Sequence, residues 1–146
     1  MIKIFATGDV RTLNVFHKAG EGSRQAIRNA LSKVGTQLAG ARGIIKLDMK
    51  KGKSGKVYKY GQASRVGESP AYITGKLSDS VYHKMEGDTL IIGADTPYAR
   101  ILEKGGNAGK GNKTYIAARR YLIRPVINAR RDIITNIQNE INKLIK

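Results

Sequence analysis

The chain predicts an α+β domain, a small and mainly antiparallel sheet packed by a long N-terminal helix and a long C-terminal helix. Three patterns predict it. Ile27, Ala30, Leu31, Val34, Leu38, Ala41 and Ile45 recur at steps of three and four between Ser23 and Lys46, which is one stripe of a helix. Two apolar runs flank Glu86-Gly87-Asp88 between residues 80 and 94, as in a β-hairpin. A second helical stripe, Val126, Ile127, Ile133, Ile134, Ile137, Ile141, Leu144 and Ile145, follows Pro125.

Residues 2–7 alternate loosely and predict a short strand, broken at Gly8-Asp9. Val10 to Ala19 suits a short helix that packs Leu13 and Phe16. Gly20 to Gly22 reads as a joint, and Ser23 as the cap of the first long helix. Gly35, Gly40 and Gly43 weaken that helix and permit close packing. Periodicity then vanishes over residues 48–73, which predicts a long basic loop or flexible hairpin arm. Ser80 to Met85 and Thr89 to Ala94 form the hairpin strands. Tyr98 to Lys104 suits a short helix ended by Gly105-Gly106. Residues 105–114 form a glycine-rich loop. Pro125 sits in the first turn of the last helix, whose stripe is expected to pack on the hairpin sheet and the first helix.

A length of 146 residues predicts one domain over 1–146, large enough for a single ordinary core. Hydrophobic residues make up 40% and aromatics only 6%, so the core is expected from Ile, Leu, Val and Ala. There is no cysteine, so neither a disulfide framework nor a thiolate metal site can form. No apolar run approaches the ~18 residues of a membrane span, and the N-terminus lacks a signal-peptide core. The expectation is a soluble protein used in the cytoplasm where it was made. The net charge of +16, from 27 Lys+Arg against 11 Asp+Glu, implies attraction to something acidic: nucleic acid, an acidic protein ring or anionic lipid.

Sites of chemistry are hard to find. Gly52-Lys53-Ser54 ends like a phosphate loop, but Leu47 stands where its first glycine belongs. Gly109-Lys110 is followed by Gly111 and has Lys104 in place of the first glycine. The two histidines, His17 and His83, are far apart and lack ligand spacing. Ser78, Asp79, Ser80 and His83 are local neighbours, but adjacent strand residues point to opposite faces. No catalytic, cofactor or metal role is therefore expected. The binding candidates are Arg42, Lys46, Lys50, Lys51, Lys53, Lys56, Tyr58, Lys59, Tyr60 and Arg65 in the basic segment, with Lys110 and Lys113 in the glycine-rich loop. Eight basic residues meet one acid, Asp48, between residues 42 and 65. Cations interleaved with tyrosines suit phosphate contact and stacking. An arm that orders on a neighbouring subunit fits the same composition.

Three blocks in order carry a family resemblance. The first is Ser69-Pro70-Ala71-Tyr72-Ile73-Thr74-Gly75-Lys76-Leu77-Ser78-Asp79-Ser80-Val81. The second is Ile92-Gly93-Ala94-Asp95-Thr96-Pro97-Tyr98-Ala99-Arg100-Ile101-Leu102-Glu103-Lys104-Gly105. The third is Ile116-Ala117-Ala118-Arg119-Arg120-Tyr121-Leu122-Ile123-Arg124-Pro125-Val126. Together they resemble the tail-completion or head–tail joining family of long-tailed bacteriophages, over roughly residues 20–146. Ala117 and Arg120 stand where the family block has prolines.

The resemblance implies a structural virion protein of the neck, a ring that completes the tail end and joins it to the head. It implies contacts with copies of itself, with head-connector and tail-tube proteins and with packaged DNA, assembly in the host cytoplasm, and no membrane. The alternatives are a tail terminator capping the tail tube, or a basic nucleic-acid-binding module. The family-motif positions are Thr74, Gly75, Leu77, Gly93, Tyr98, Ala99, Glu103, Gly105, Arg119, Tyr121, Leu122 and Pro125. Mechanically, Thr74-Gly75 would start a strand after a loop. Tyr98 would bury its ring and keep a polar tip. Arg119, Tyr121 and Leu122 would pin the loop entering the last helix.

Overall fold

The apolar stripe of the first helix is where the core begins. Ala26, Ala30, Leu31, Val34, Leu38 and Ala39 are all buried, at steps that keep them on one helix face. In the computed structural model they belong to helix α1, Val10–Ala39. The structure describes residues 2–5, 10–59 and 61–143, with the backbone alone for 2–5, 10–21 and 23. The side chains of Leu13, Phe16 and His17, the Gly8-Asp9 break, Tyr60, Leu144 and Ile145 lie outside the described residues.

Helix α1 departs from expectation at both ends. Gly20 to Gly22 does not interrupt it, and Ser23 lies within it, not at a cap. It stops at Ala39, well short of Lys46. The Gly40 N–H donates to Thr36 O and the Gly43 N–H to Gly40 O, both at 2.9 Å. The chain doubles back so closely here that a Cβ on Gly43 would lie 2.5 Å from Leu38 O. Only glycine admits that approach. A second helix, α2 (Ile44–Lys50), then places Ile45 and Met49 in the core.

The central sheet is antiparallel throughout. Strands β4 (Val81–Glu86) and β5 (Thr89–Ala94) pair from Val81↔Ala94 to Glu86↔Thr89 around Gly87-Asp88. Strand β1 (Ile2–Phe5) joins the other edge of β5, from Ile2↔Ile92 to Phe5↔Thr89. The order is β1-β5-β4. Leu90, Ile91 and Ile92 on β5 are all buried, and since successive strand residues alternate faces, β5 is covered on both sides.

Helix α1 lies on β4 and β5. Their closest approach is at Gly35, where a Cβ would meet His83 Cδ2 at 2.6 Å and Leu90 Cδ1 at 2.8 Å. The C-terminal stripe was expected as one helix but divides into α5 (Ile123–Asn128) and α6 (Arg130–Asn142). Hydrogen bonding runs through the division: the Ala129 N–H donates to Pro125 O and the Ile133 N–H to Ala129 O, both at 2.9 Å. Helix α6 leans chiefly on α1, with Ile133 buried and Lys33 Nζ 2.7 Å from Glu140 Oε1. The α+β class holds, with α1 as the layer between the sheet and α6.

Two further two-stranded sheets lie in segments expected as loops. Strands β2 (Val57–Tyr58) and β3 (Gly61–Gln62) pair within the basic arm. Strands β6 (Gly106–Ala108) and β7 (Thr114–Ile116) pair across a short turn at Lys110–Asn112. The glycine-rich stretch 105–114 therefore holds β6, the turn and the first residue of β7, Thr114. The other two ladder partners, Tyr115 and Ile116, lie beyond the stretch, so composition within it hides the strand. The arm's expected start is also corrected, because Asp48, Met49 and Lys50 are helical.

Gly35→Ala tests the helix–sheet contact. Alanine favours helix by up to about 1 kcal/mol, but overpacking against His83 and Leu90 costs about 1–3 kcal/mol. A net loss of roughly 1 kcal/mol is expected in denaturant melts, relieved when His83→Ala is added. A Gly35→Ala variant more stable than wild type would contradict the packing.

Candidate functional site

The three motif blocks converge through backbone and carboxylate hydrogen bonds. In the first, Gly75 is buried at φ 78° and precedes helix α3 (Lys76–Asp79). Thr74-Gly75 therefore begins a helical turn and not a strand. The reason is local closure: the Asp79 N–H donates to Gly75 O at 2.8 Å and the Ser80 N–H to Lys76 O at 3.1 Å. That turn buries Leu77 and Ser78. In the second block, Gly93 faces the ring of its cross-strand partner Tyr82, and a Cβ there would lie 2.7 Å from the Tyr82 hydroxyl. Helix α4 (Ala99–Lys104) buries Ala99. Tyr98 precedes it and remains 42% exposed, so its ring is not buried as expected.

The third block is held by the second. The Arg119 N–H donates to Leu102 O at 2.7 Å. Glu103 Oε2 accepts from the Leu122 N–H at 2.8 Å and Glu103 Oε1 from the Ile123 N–H at 3.0 Å. Those donors are at the N-terminus of α5, where no intrahelical acceptor exists. A carboxylate there also meets the positive end of the helix dipole. Tyr121 is fully buried, with its hydroxyl 3.5 Å from Ala99 O. Burial, aided by the Glu103 and Tyr98 charges, pushes its phenol well above the usual tyrosine range. Gly105, at φ 75°, lets the chain pass Ala118 so closely that a Cβ would lie 2.9 Å from its backbone nitrogen. Leu122 and Pro125 are buried beside Tyr121 in sequence. None of these positions forms a nucleophile–base pair.

The basic arm is closed by carboxylates at its foot. Glu68 accepts from the Ser54 hydroxyl, the Ser54 N–H and the Arg65 N–H. These bonds, the Ser54 hydroxyl first, hold its carboxyl at about 2 instead of 4.5. Asp48 accepts from the Ser69 hydroxyl and pairs with Lys51 at 3.2 Å. Burial opposes ionisation there, but the Ser69 and Lys51 contacts prevail and lower its pKa. Lys53 Nζ donates to Asp48 O at 2.9 Å. Above the clasp, the Gly55 N–H donates to Ala63 O and the Ala63 N–H to Lys56 O, both at 2.9 Å. Two cations of the third block reach the same foot: Arg119 Nη2 donates to Ser64 O at 3.2 Å, and Arg124 donates to Gly67 O.

The candidate contact residues therefore fall into groups. Arg42 lies exposed in the turn before α2, and Lys46 half-buried on α2. Lys50, Lys51 and Lys53 gather at the arm's foot, with Lys50 Nζ 5.3 Å from the Tyr72 ring centroid. Lys56 lies 5.8 Å from the Tyr58 ring centroid on the hairpin. Lys59 and Arg65 are exposed on the same segment, and Tyr60 lies outside the described residues. Lys110 and Lys113 are exposed on the β6–β7 turn, a different part of the fold. Glu68, Asp48 and Ser69 were not singled out as contact residues. The signal for Asp48 was its isolation as the one acid in a basic run. Glu68 carries no comparable signal, because only the hairpin brings Ser54 and Arg65 to it. Among the described residues no three metal-ligating side chains gather, and no helix is long and apolar enough to cross a membrane.

The chain is similar to the Mu-like prophage FluMu G protein 2 of Haemophilus influenzae, at 38% identity over 79 residues. The match covers 53% of this chain and 56% of that protein, so the chain spans about half the length of this relative. The homology makes this a phage-related protein. No protein-family profile and no solved structure matches the chain.

Two variants probe these contacts. Glu103→Ala leaves two backbone donors without their acceptor, at about 1.5–3 kcal/mol by the usual worth of a charged hydrogen bond. Glu103→Gln keeps one acceptor oxygen and should lose less in the same thermal melts. Equal stability of all three proteins would exclude the cap. The Glu68 contribution is complete above pH 4.5 and is lost as the pH falls through about 2, because its folded pKa is depressed. Stability of the wild type should thus fall more steeply with acid across that window than stability of Glu68→Gln. Parallel curves would rule out the clasp.

Proposed function

We propose that this protein is a structural component of the phage neck, forming a ring that completes the tail end and joins it to the head. The homology to a Mu-like prophage protein supports a phage structural or assembly role. The finer assignment is supported by the order of the three blocks, which resembles head–tail joining proteins, and by the kind of surface this chain exposes. Membership of such a ring requires no catalysis, and none is proposed.

The observation that carries the reading is the exposure of apolar side chains on the small hairpins. Val57 is 71% exposed, Tyr58 57% and Tyr115 72%. Val66, in the turn between Arg65 and Glu68 of the clasp, is 72% exposed. A two-stranded hairpin is marginal by itself and leaves unpaired strand edges. Edges flanked by uncovered Val and Tyr suit contact with another chain. A closed ring needs two different surfaces on each subunit, and the β2–β3 and β6–β7 sheets are two such surfaces.

The test is removal of residues 56–62 in a phage encoding this chain. Gly55 and Ala63 are already hydrogen-bonded neighbours, so a short Gly-Ser link can close the gap. A deletion of residues 50–65 would remove Ser54, Ser64 and the clasp together, so the smaller excision is the cleaner variant. The purified variant should melt within a few degrees of wild type. The phage should accumulate filled heads beside finished, unattached tails. Normal infectious particles would refute the reading, and overlong tails would assign the chain to tail termination instead.

A further inference from the structure

At the foot of the arm, Lys50, Lys51, Lys53, Gln62 and Tyr72 line an open concavity of about 480 Å³. No carboxylate is among its lining residues. Asp48 lines the neighbouring cleft, which shares Lys51 and Lys53 with this one; its carboxylate pairs with Lys51 at 3.2 Å and its backbone carbonyl accepts from Lys53 Nζ at 2.9 Å. Two lysines are therefore positioned before any ligand arrives, and Lys50 is placed against the exposed Tyr72 ring. We infer that this concavity binds the phosphodiester backbone of duplex DNA. The inference deepens the neck reading and rests on it for the source of the DNA.

Charge complementarity selects this occupant over a second copy of the chain. Six of the nine acids with described side chains are engaged internally: Glu103 at the start of α5, Glu68 and Asp48 at the clasp, Glu140 between Lys33 and Lys143, Asp88 with Arg28, and Glu86 with Lys84, while Asp79, Asp95 and Asp132 are exposed. A second copy carries the same +16 net charge, which opposes its approach to the lysines. The choice of DNA over an acidic protein follows from the spread of the cations, because a Lys ammonium is a point charge that pairs with phosphate and carboxylate alike. The concavity is also open, and Lys56 at the base of the adjoining hairpin and Arg65 in the clasp are exposed, so positive charge continues beyond it. A ligand with regularly repeated charge profits from that continuation.

The full-length protein should bind a short duplex oligonucleotide, read by fluorescence anisotropy over a salt series. Lys50→Gln with Lys51→Gln should weaken binding on the order of tenfold and reduce the slope of log K against log salt by about 2, roughly one per lost phosphate contact. Lys50→Gln alone, which touches no structural hydrogen bond, should reduce it by about 1. The control is Arg130→Gln with Arg131→Gln, the same charge removed from exposed positions on α6. It should change affinity less than twofold. Equal losses in both double variants would mean diffuse attraction and overturn the site. So would absence of binding at low salt, or competition by polyglutamate as effective as that by DNA. In vitro binding with normal particles from the hairpin excision would sink the neck reading and leave the site standing. No DNA binding with unattached heads and tails would do the reverse.

Discussion

The Glu103 carboxylate decides how the last third of the chain joins the first two. Its two oxygens take the backbone N–H groups of Leu122 and Ile123, the donors that a helix start leaves without partners. The bond fixes where α5 begins, and with it the placement of Tyr121 and Leu122 beneath the surface. Arg119 adds a backbone bond to Leu102 and a guanidinium bond to Ser64. Helix α6 then lies on α1, where Ile133 completes the core. A block that resembles a family signature is thus a mechanical joint.

Charge is divided along the same lines. The described acids act mostly as internal fasteners, closing the arm, starting a helix or bridging α1 to α6. The cations are left at the surface, on the arm and on the β6–β7 turn. A chain with +16 net charge keeps copies apart unless an acidic partner or uncovered apolar surface offsets the repulsion. Both kinds of surface are present on the arm. Val57 and Tyr58 sit on its hairpin, and the lysine concavity sits at its foot.

Glycine placement shapes the joints between these parts. Gly43 turns the chain from α1 into α2, and Gly35 lets His83 and Leu90 of the sheet approach α1. In sequence, both glycines read as flaws in one long helix. One proves to be a notch inside the helix and the other a reversal beyond its end. The difference is a matter of what packs against each: side chains of the sheet at Gly35, the chain's own backbone at Gly43.

Periodicity was enough to determine the α+β class, the β4–β5 hairpin, the main stripe of α1 and the amphipathic C-terminal segment, because those patterns record which side of an element meets the core. Composition was enough to show that the arm is cationic. Only the tertiary structure decided that α1 ends at Ala39, that α5 and α6 divide at Ala129, and that the glycine-rich stretch pairs as β6 with β7. It also decided that Glu68 clasps Ser54 and Arg65, and that Tyr72 joins Lys50, Lys51 and Lys53. These outcomes depend on contacts between residues distant along the chain. A local window holds one partner of each contact, and the energy belongs to the pair.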